Sequence, residues 1–283
     1  MNEYPIFVPF EREHVAAVIT TPDDEPRGLV QLLQGGGGQS RSHRNRGWIR
    51  AARGLAENGI ASVRMDYPGL GDSTGDRAFE VGSPPTEAAL AVAKVTLDIV
   101  GVAPFAAVAN CIGIPTALGV GTQIPSCMGV VCIVPSALRP LMEVSRADRR
   151  STARRAIGQR MPTVRQIVRE VRRGASRRSA PSRLRQELAT LLRSARILIL
   201  HGGTDDSWQQ LRTQISRLQA QVGEEAGKRI ETGALPTEGS GFRGLHKQQA
   251  MVDSSIEWLD ELFPLSPRST FEELERPAGA HRS

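Results

Sequence analysis

The run from Phe105 to Val120 constrains this chain most: Phe-Ala-Ala-Val-Ala, then Asn110-Cys111-Ile112-Gly113, then a second apolar stretch at helical spacing. A strand that passes into a helix across so short an interval must turn sharply, and the turn presents one side chain outward. Ala109 and Gly113 bracket Cys111 in a small-x-Cys-x-Gly pattern. Small residues are needed there because the strand end and the helix start approach closely. A cysteine at the tip tilts the chemistry toward thioester exchange, since a thiol is already partly thiolate near neutral pH while a hydroxyl depends on a neighbouring base.

Periodicity organises the rest of the chain around that turn. Tyr4 to Phe10 and His14 to Thr20 alternate around Glu11-Arg12-Glu13 and predict a β-hairpin. Gly28 to Gln34 reads as a short buried strand that breaks at Gly35-Gly36-Gly37-Gly38, and Trp48 to Asn58 as a helix stopped by Gly59. Ile60 to Tyr67 is a strand leading into the turn Asp66-Tyr67-Pro68-Gly69-Leu70-Gly71-Asp72-Ser73. Helices are expected over Pro85 to Val100, Gly113 to Val120, Trp208 to Leu218 and Lys247 to Leu262. Further strands are expected over Gly129 to Val134, Ile197 to Leu200 and Arg229 to Leu235. Such alternation argues for an α/β chain with a mostly parallel sheet covered on both faces.

Three cysteines, Cys111, Cys127 and Cys132, form neither a disulfide framework nor a metal-ligand pattern, which suits a reducing, cytoplasmic setting. Cys132 lies in an apolar run and reads as an inert buried thiol. No metal or cofactor is expected, and neither a secretory signal nor a membrane span is visible. The net charge of +6 is unevenly spread: between Ala137 and Arg193 stand 16 arginines against four acids, leaving the remainder net acidic. Three divisions follow: a core of residues 1–136 and 195–264, an arginine-rich helical insert over 137–194, and a Pro-, Ser- and Glu-rich tail over 265–283 expected to be disordered.

In an open parallel sheet, reactive groups collect on loops at the carboxyl ends of strands. Four such loops carry candidates here. Cys111 is the candidate nucleophile, and His246, in Gly244-Leu245-His246-Lys247 just before the last expected helix, the candidate base. Asp205, in His201-Gly202-Gly203-Thr204-Asp205-Asp206, would orient the imidazole. Asp206 is the alternative acid, and either aspartate could instead cap the helix that follows. The backbone N–H of Ile112 and one from Gly36 are the candidate oxyanion donors.

These pieces resemble a known superfamily. Gly35 to Arg44, Ile60 to Gly75, Ala109 to Gly113, His201 to Asp205 and the region of His246 are similar to the α/β-hydrolases over nearly all of residues 4–263. The order nucleophile, acid, histidine is that superfamily's order. Ser42-His43-Arg44, the run Val63 to Ser73 and the cysteine turn resemble the exosortase-associated and serine aminopeptidase-like branch, while dienelactone hydrolases share the cysteine. The resemblance implies a Cys-His-Asp triad and an acyl-transfer enzyme. Two residues depart from the pattern: Gln34 stands where many members have His, and Ala109 replaces the first Gly of the turn.

The insert occupies the place where this superfamily carries its cap. Val164, Ile167, Val168 and Val171 form an apolar stripe with Arg165, Arg169, Arg172 and Arg173 beside it. A solvated face in an arginine-rich chain accounts for such charges. The sharper expectation is that Arg169, Arg172 and Arg173 receive phosphate from coenzyme A or from an acyl carrier protein, both of which present phosphate near a thioester. No helix-turn-helix or aromatic stacking pattern accompanies the charge, so nucleic acid is not expected as a partner. The sequence thus favours a thioesterase or esterase acting on a small acyl substrate. Two alternatives stay open: a Dieckmann-type cyclase or acyltransferase of secondary metabolism, and a non-catalytic binding protein on the same scaffold.

Overall fold

The computed structural model describes residues 1–35, 40–76, 84–133, 183–202, 206–235 and 244–263. Strands β1 (Asn2–Phe10) and β2 (Glu13–Thr21) form the expected hairpin, turned at Glu11. The chain continues through β3 (Leu29–Leu33), α1 (Gly47–Glu57), β4 (Ala61–Met65), α2 (Thr86–Val100), β5 (Phe105–Asn110), α3 (Ile114–Gln123) and β6 (Cys127–Ile133). Helix α4 (residues 183–191) precedes β7 (Arg196–Gly202), followed by α5 (Asp206–Val222), the short α6 (Glu224–Gly227), β8 (Ile230–Leu235) and α7 (Leu245–Leu262).

The strands make one eight-stranded sheet in the order β1-β2-β4-β3-β5-β6-β7-β8. β2 runs antiparallel to both β1 and β4, and every other neighbouring pair is parallel. Because successive side chains in a strand point to opposite faces, the strands divide their residues between two apolar layers. Leu29, Leu33, Ala107, Ala109, Val130, Cys132, Ile197 and Ile199 join one layer with Ala89, Ala93, Leu118 and Ile215 from α2, α3 and α5. Val30, Leu32, Ala106, Val108, Val131, Ile133, Leu198 and Leu200 join the other with Trp48, Leu55, Met251 and Leu259 from α1 and α7. Leu184, Leu188 and Leu191 of α4, and Leu192 just after it, are buried in the first layer, although they fall within the stretch the sequence assigns to the insert.

This layering positions the site. β5 lies between β3 and β6, with Leu33 opposite Ala109 on one side and Ile133 opposite Asn110 on the other. The carboxyl ends of β3, β5 and β6 therefore stop at one level, and Cys111 emerges from the middle of that edge. β8 runs parallel to β7, so its carboxyl end reaches this same edge, and α7 begins at Leu245.

Candidate active site

Asn110 is extended at φ −112° and ψ 148°, and the next residue, Cys111, is forced to φ +51°. A non-glycine residue in this left-handed region carries on the order of 1–2 kcal/mol of backbone strain. The strain is what aims the side chain: one residue reverses the path, a tight turn spans Cys111–Gly113, and α3 starts at Ile114 with proline in its first turn. Cys111 is partly exposed, whereas Cys127 and Cys132 are buried. Burial pushes both buried thiols up to about 12, so neither supplies thiolate near neutral pH.

The loop leaving β3 is pressed against this turn. A Cβ on Gly35 would lie 2.6 Å from the Asn110 carbonyl oxygen and 3.0 Å from the Cys111 Cβ, and one on Gly113 would lie 2.6 Å from the Gln34 carbonyl oxygen. Glycine at both positions is a condition of the close approach. The Gly35 N–H donates to Asn110 Oδ1 at 2.6 Å, fastening these two segments, and the end of β3 is tied to the end of β4 by the Tyr67 hydroxyl donating to the Gln34 carbonyl at 3.2 Å and Gln34 Nε2 donating to the Met65 carbonyl at 2.7 Å. Gln34, one of the departures noted in sequence, is thus a buried cross-link between the ends of β3 and β4.

The turn after β4 clamps the far side of the same loop. Asp66 is fully buried. Its carboxylate accepts from the Arg41 backbone N–H and guanidinium and from the Asp72 N–H, and Arg41 reaches Asp72 as well. Gly71, at φ +55°, leaves no room for a Cβ beside that carboxylate. Burying an ion pair is costly unless its remaining hydrogen bonds are satisfied, and here backbone donors satisfy them.

In the sequence His43 carries only the Ser-His-Arg resemblance, without a role of its own. The structure places its Nε2 3.0 Å from Asn110 Nδ2 and its ring against Trp48, centroids 5.1 Å apart. Burial lowers its pKa to about 4; the charge of Arg44 acts in the same direction and a backbone hydrogen bond at Arg44 opposes it. Among the described residues, every non-glycine residue with positive φ other than Glu11 lies in this neighbourhood: His43, Asn45, Arg46 and Cys111. Strain held by surrounding structure is concentrated where a site would need it.

His246 sits in the first turn of α7 and is exposed. Sequence reasoning put it in the turn before that helix; Gly244, at φ +92°, ends the turn two residues earlier than expected. Arg50 ties that first turn to the His43 loop, its guanidinium donating to Gln249 at 2.9 Å, to Gln248 at 3.4 Å and also to the Asn45 carbonyl. Ile112 lies in the turn at the head of α3, where a backbone N–H can serve an oxyanion. Gly36, Asp205, Arg169, Arg172 and Arg173 lie outside the described residues, and Asp206 opens α5. Among the described residues no group of His, Cys, Asp and Glu is arranged to hold a metal, and no helix is long and apolar enough to cross a membrane.

A partly exposed side chain at a strained turn between a central parallel strand and a helix, flanked by the ends of β3 and β4, defines the class: the protein has the α/β-hydrolase fold. Solved structures are similar in fold over more than nine-tenths of the chain. Est1E from Butyrivibrio proteoclasticus, solved with ferulic acid bound, is similar over 91% of this chain and 98% of its own, with a TM-score of 0.63 and 14% identity. A thermostable carboxyl esterase from Bacillus coagulans is similar over 93% and 99%, with a TM-score of 0.62 and 15% identity. A dienelactone hydrolase from Anabaena variabilis is similar over 93% and 99%, with a TM-score of 0.58 and 14% identity. No protein-family model and no curated protein sequence matches the chain.

Proposed function

We propose that this protein is an acyl-transfer enzyme of the thioesterase or esterase type that works through a covalent acyl-enzyme on Cys111. The observation that carries the reading is the backbone of Cys111 itself: a partly exposed cysteine held at φ +51° at the head of α3. The esterases and the dienelactone hydrolase among the structural neighbours support a hydrolytic reaction on this scaffold.

In this reading the Cys111 thiol gives its proton to His246 as Sγ bonds to the substrate carbonyl carbon, and the oxyanion so formed takes hydrogen bonds from the backbone of Ile112 and Gly36. The carbon–heteroatom bond then breaks and the leaving thiolate or alkoxide collects the proton from His246, with Asp205 orienting the ring and balancing its charge. Water next attacks the thioester, losing its proton to His246. The carbon–sulfur bond breaks, the acid departs, and Cys111 regains its proton. An acidic C–H within the acyl chain can replace water at this step: His246 takes its proton, the carbanion bonds to the thioester carbon, the carbon–sulfur bond breaks, and the Cys111 thiolate recovers the proton from His246 as the cyclised product leaves.

The preferred substrate is a thioester of coenzyme A or of an acyl carrier protein, with Arg169, Arg172 and Arg173 receiving phosphate. The test is release of free thiol from acyl-CoA. Cys111→Ala should abolish it, and reversing the three arginines to Glu should raise KM for acyl-CoA while leaving small aryl esters unchanged. Equal loss on both substrates would reject phosphate recognition, and turnover by Cys111→Ala would reject the nucleophile.

A further inference from the structure

We infer that His43 and Asn110 form a positioning pair that holds the first residue of the glycine loop, Gly35, against the Cys111 turn. This deepens the acyl-enzyme reading and rests on it. Asn110 immediately precedes Cys111, and its side-chain amide reaches two residues of the distant segment after β3, 75 and 67 positions away in sequence. Oδ1 accepts from the Gly35 N–H at 2.6 Å, and Nδ2 faces His43 Nε2 at 3.0 Å.

Because a carbonyl oxygen accepts and an amide nitrogen donates, the first contact fixes which way the amide points and the second then requires a lone pair on His43 Nε2. The ring proton accordingly sits on Nδ1. Burial of His43 keeps the imidazole neutral at physiological pH, so one ring nitrogen is unprotonated and able to accept. The direction of both Asn110 contacts is determined, which is what a positioning device needs.

The setting shows that this contact is held under constraint. His43 is only 7% exposed and adopts φ +59°, and Trp48, fully buried, backs its ring. Gly35 leads directly into the loop whose next residue is the second oxyanion donor in the proposed mechanism. An oxyanion donor stabilises only if it is already in place when charge develops. Misplacing such a group by about 1 Å can cost on the order of a hundredfold in rate.

Two substitutions at one position separate positioning from packing. His43→Phe keeps a ring against Trp48 but offers Asn110 no acceptor; His43→Gln offers a side-chain oxygen in its place. Acylation of Cys111 by p-nitrophenyl acetate is followed by stopped flow, steady-state kcat and KM are measured with the same ester, and amide exchange at Gly35 is read by NMR. His43→Phe should slow acylation about 10- to 100-fold with KM little changed and should speed exchange at Gly35, and His43→Gln should recover most of both. Acylation and Gly35 exchange within twofold of wild type in His43→Phe would overturn the positioning role alone. A wild-type protein that takes no acyl group on Cys111 would overturn the acyl-enzyme reading, and this inference with it. Asn110→Ala, which removes the bridge from its other end, should reproduce the slow acylation, and wild-type acylation there would also overturn the role.

Discussion

Two cysteines, one inside β6 and one just past the end of the neighbouring β5, show how much position decides. Cys132 pairs in register with Ala109, two residues before Cys111. Cys132 is fully buried in regular extended backbone, and burial raises its thiol to about 12. Cys111, one step past the end of β5, is partly exposed and strained. The same side chain is a small hydrophobe in one place and a candidate nucleophile in the other. What separates them is the end of a strand and the two glycines that let another loop come up against it.

The largest expected effect breaks the comparison at its reactive end. Cys111→Gly should abolish acyl transfer and, by relieving the left-handed strain, leave stability unchanged or raise it by about 1 kcal/mol, as read from urea unfolding. Simple loss of both activity and stability would show that the turn is not strained. Gly35→Ala comes next. Its Cβ would sit 2.6 Å from a backbone oxygen that cannot move aside without shifting the turn, so acylation should fall by at least tenfold while Cys132 stays inaccessible to thiol reagents.

At the inert end, Cys132→Ser should cost about 1–3 kcal/mol of stability, because a hydroxyl is buried among apolar neighbours, and should leave acylation of Cys111 unaltered. The smallest effect concerns pH. Unfolded, His43 titrates near its ordinary 6.5; folded, burial first and the charge of Arg44 second hold it at about 4. As pH falls the unfolded chain is protonated first. The contribution of His43 is therefore complete above pH 6.5 and is lost as pH drops to about 4, with an upper bound of about 3 kcal/mol. His43→Gln should lose less stability than wild type between pH 7 and pH 4.5, and equal losses would contradict the buried neutral imidazole.

Much of the fold was legible because its signals are local. The alternation of β1 and β2, the apolar runs of β5 and β7 and the stripe of α7 each lie within a single segment, and the strand β5 matches the expected Phe105 to Asn110 span. The Cys111 turn was legible for the same reason: strand, small residue, cysteine and glycine are contiguous. His43 was not, since its meaning depends on Asn110, 67 residues away, and on a left-handed backbone that no composition rule requires of histidine. The role of Gln34 was hidden likewise, because its partner is a main-chain carbonyl on a neighbouring strand end. His246 is a candidate by residue type and order, and the structure places it inside the first turn of α7 rather than before it.

The most direct measurement is the intact mass of the protein after brief exposure to a thiol-directed acyl probe, followed by peptide mapping. One acyl group should appear on Cys111, vanish in Cys111→Ala, slow markedly in His246→Ala and leave Cys127 and Cys132 unmodified. No adduct, an adduct on a buried cysteine, or labelling of Cys111 that is indifferent to His246→Ala would contradict the proposed mechanism.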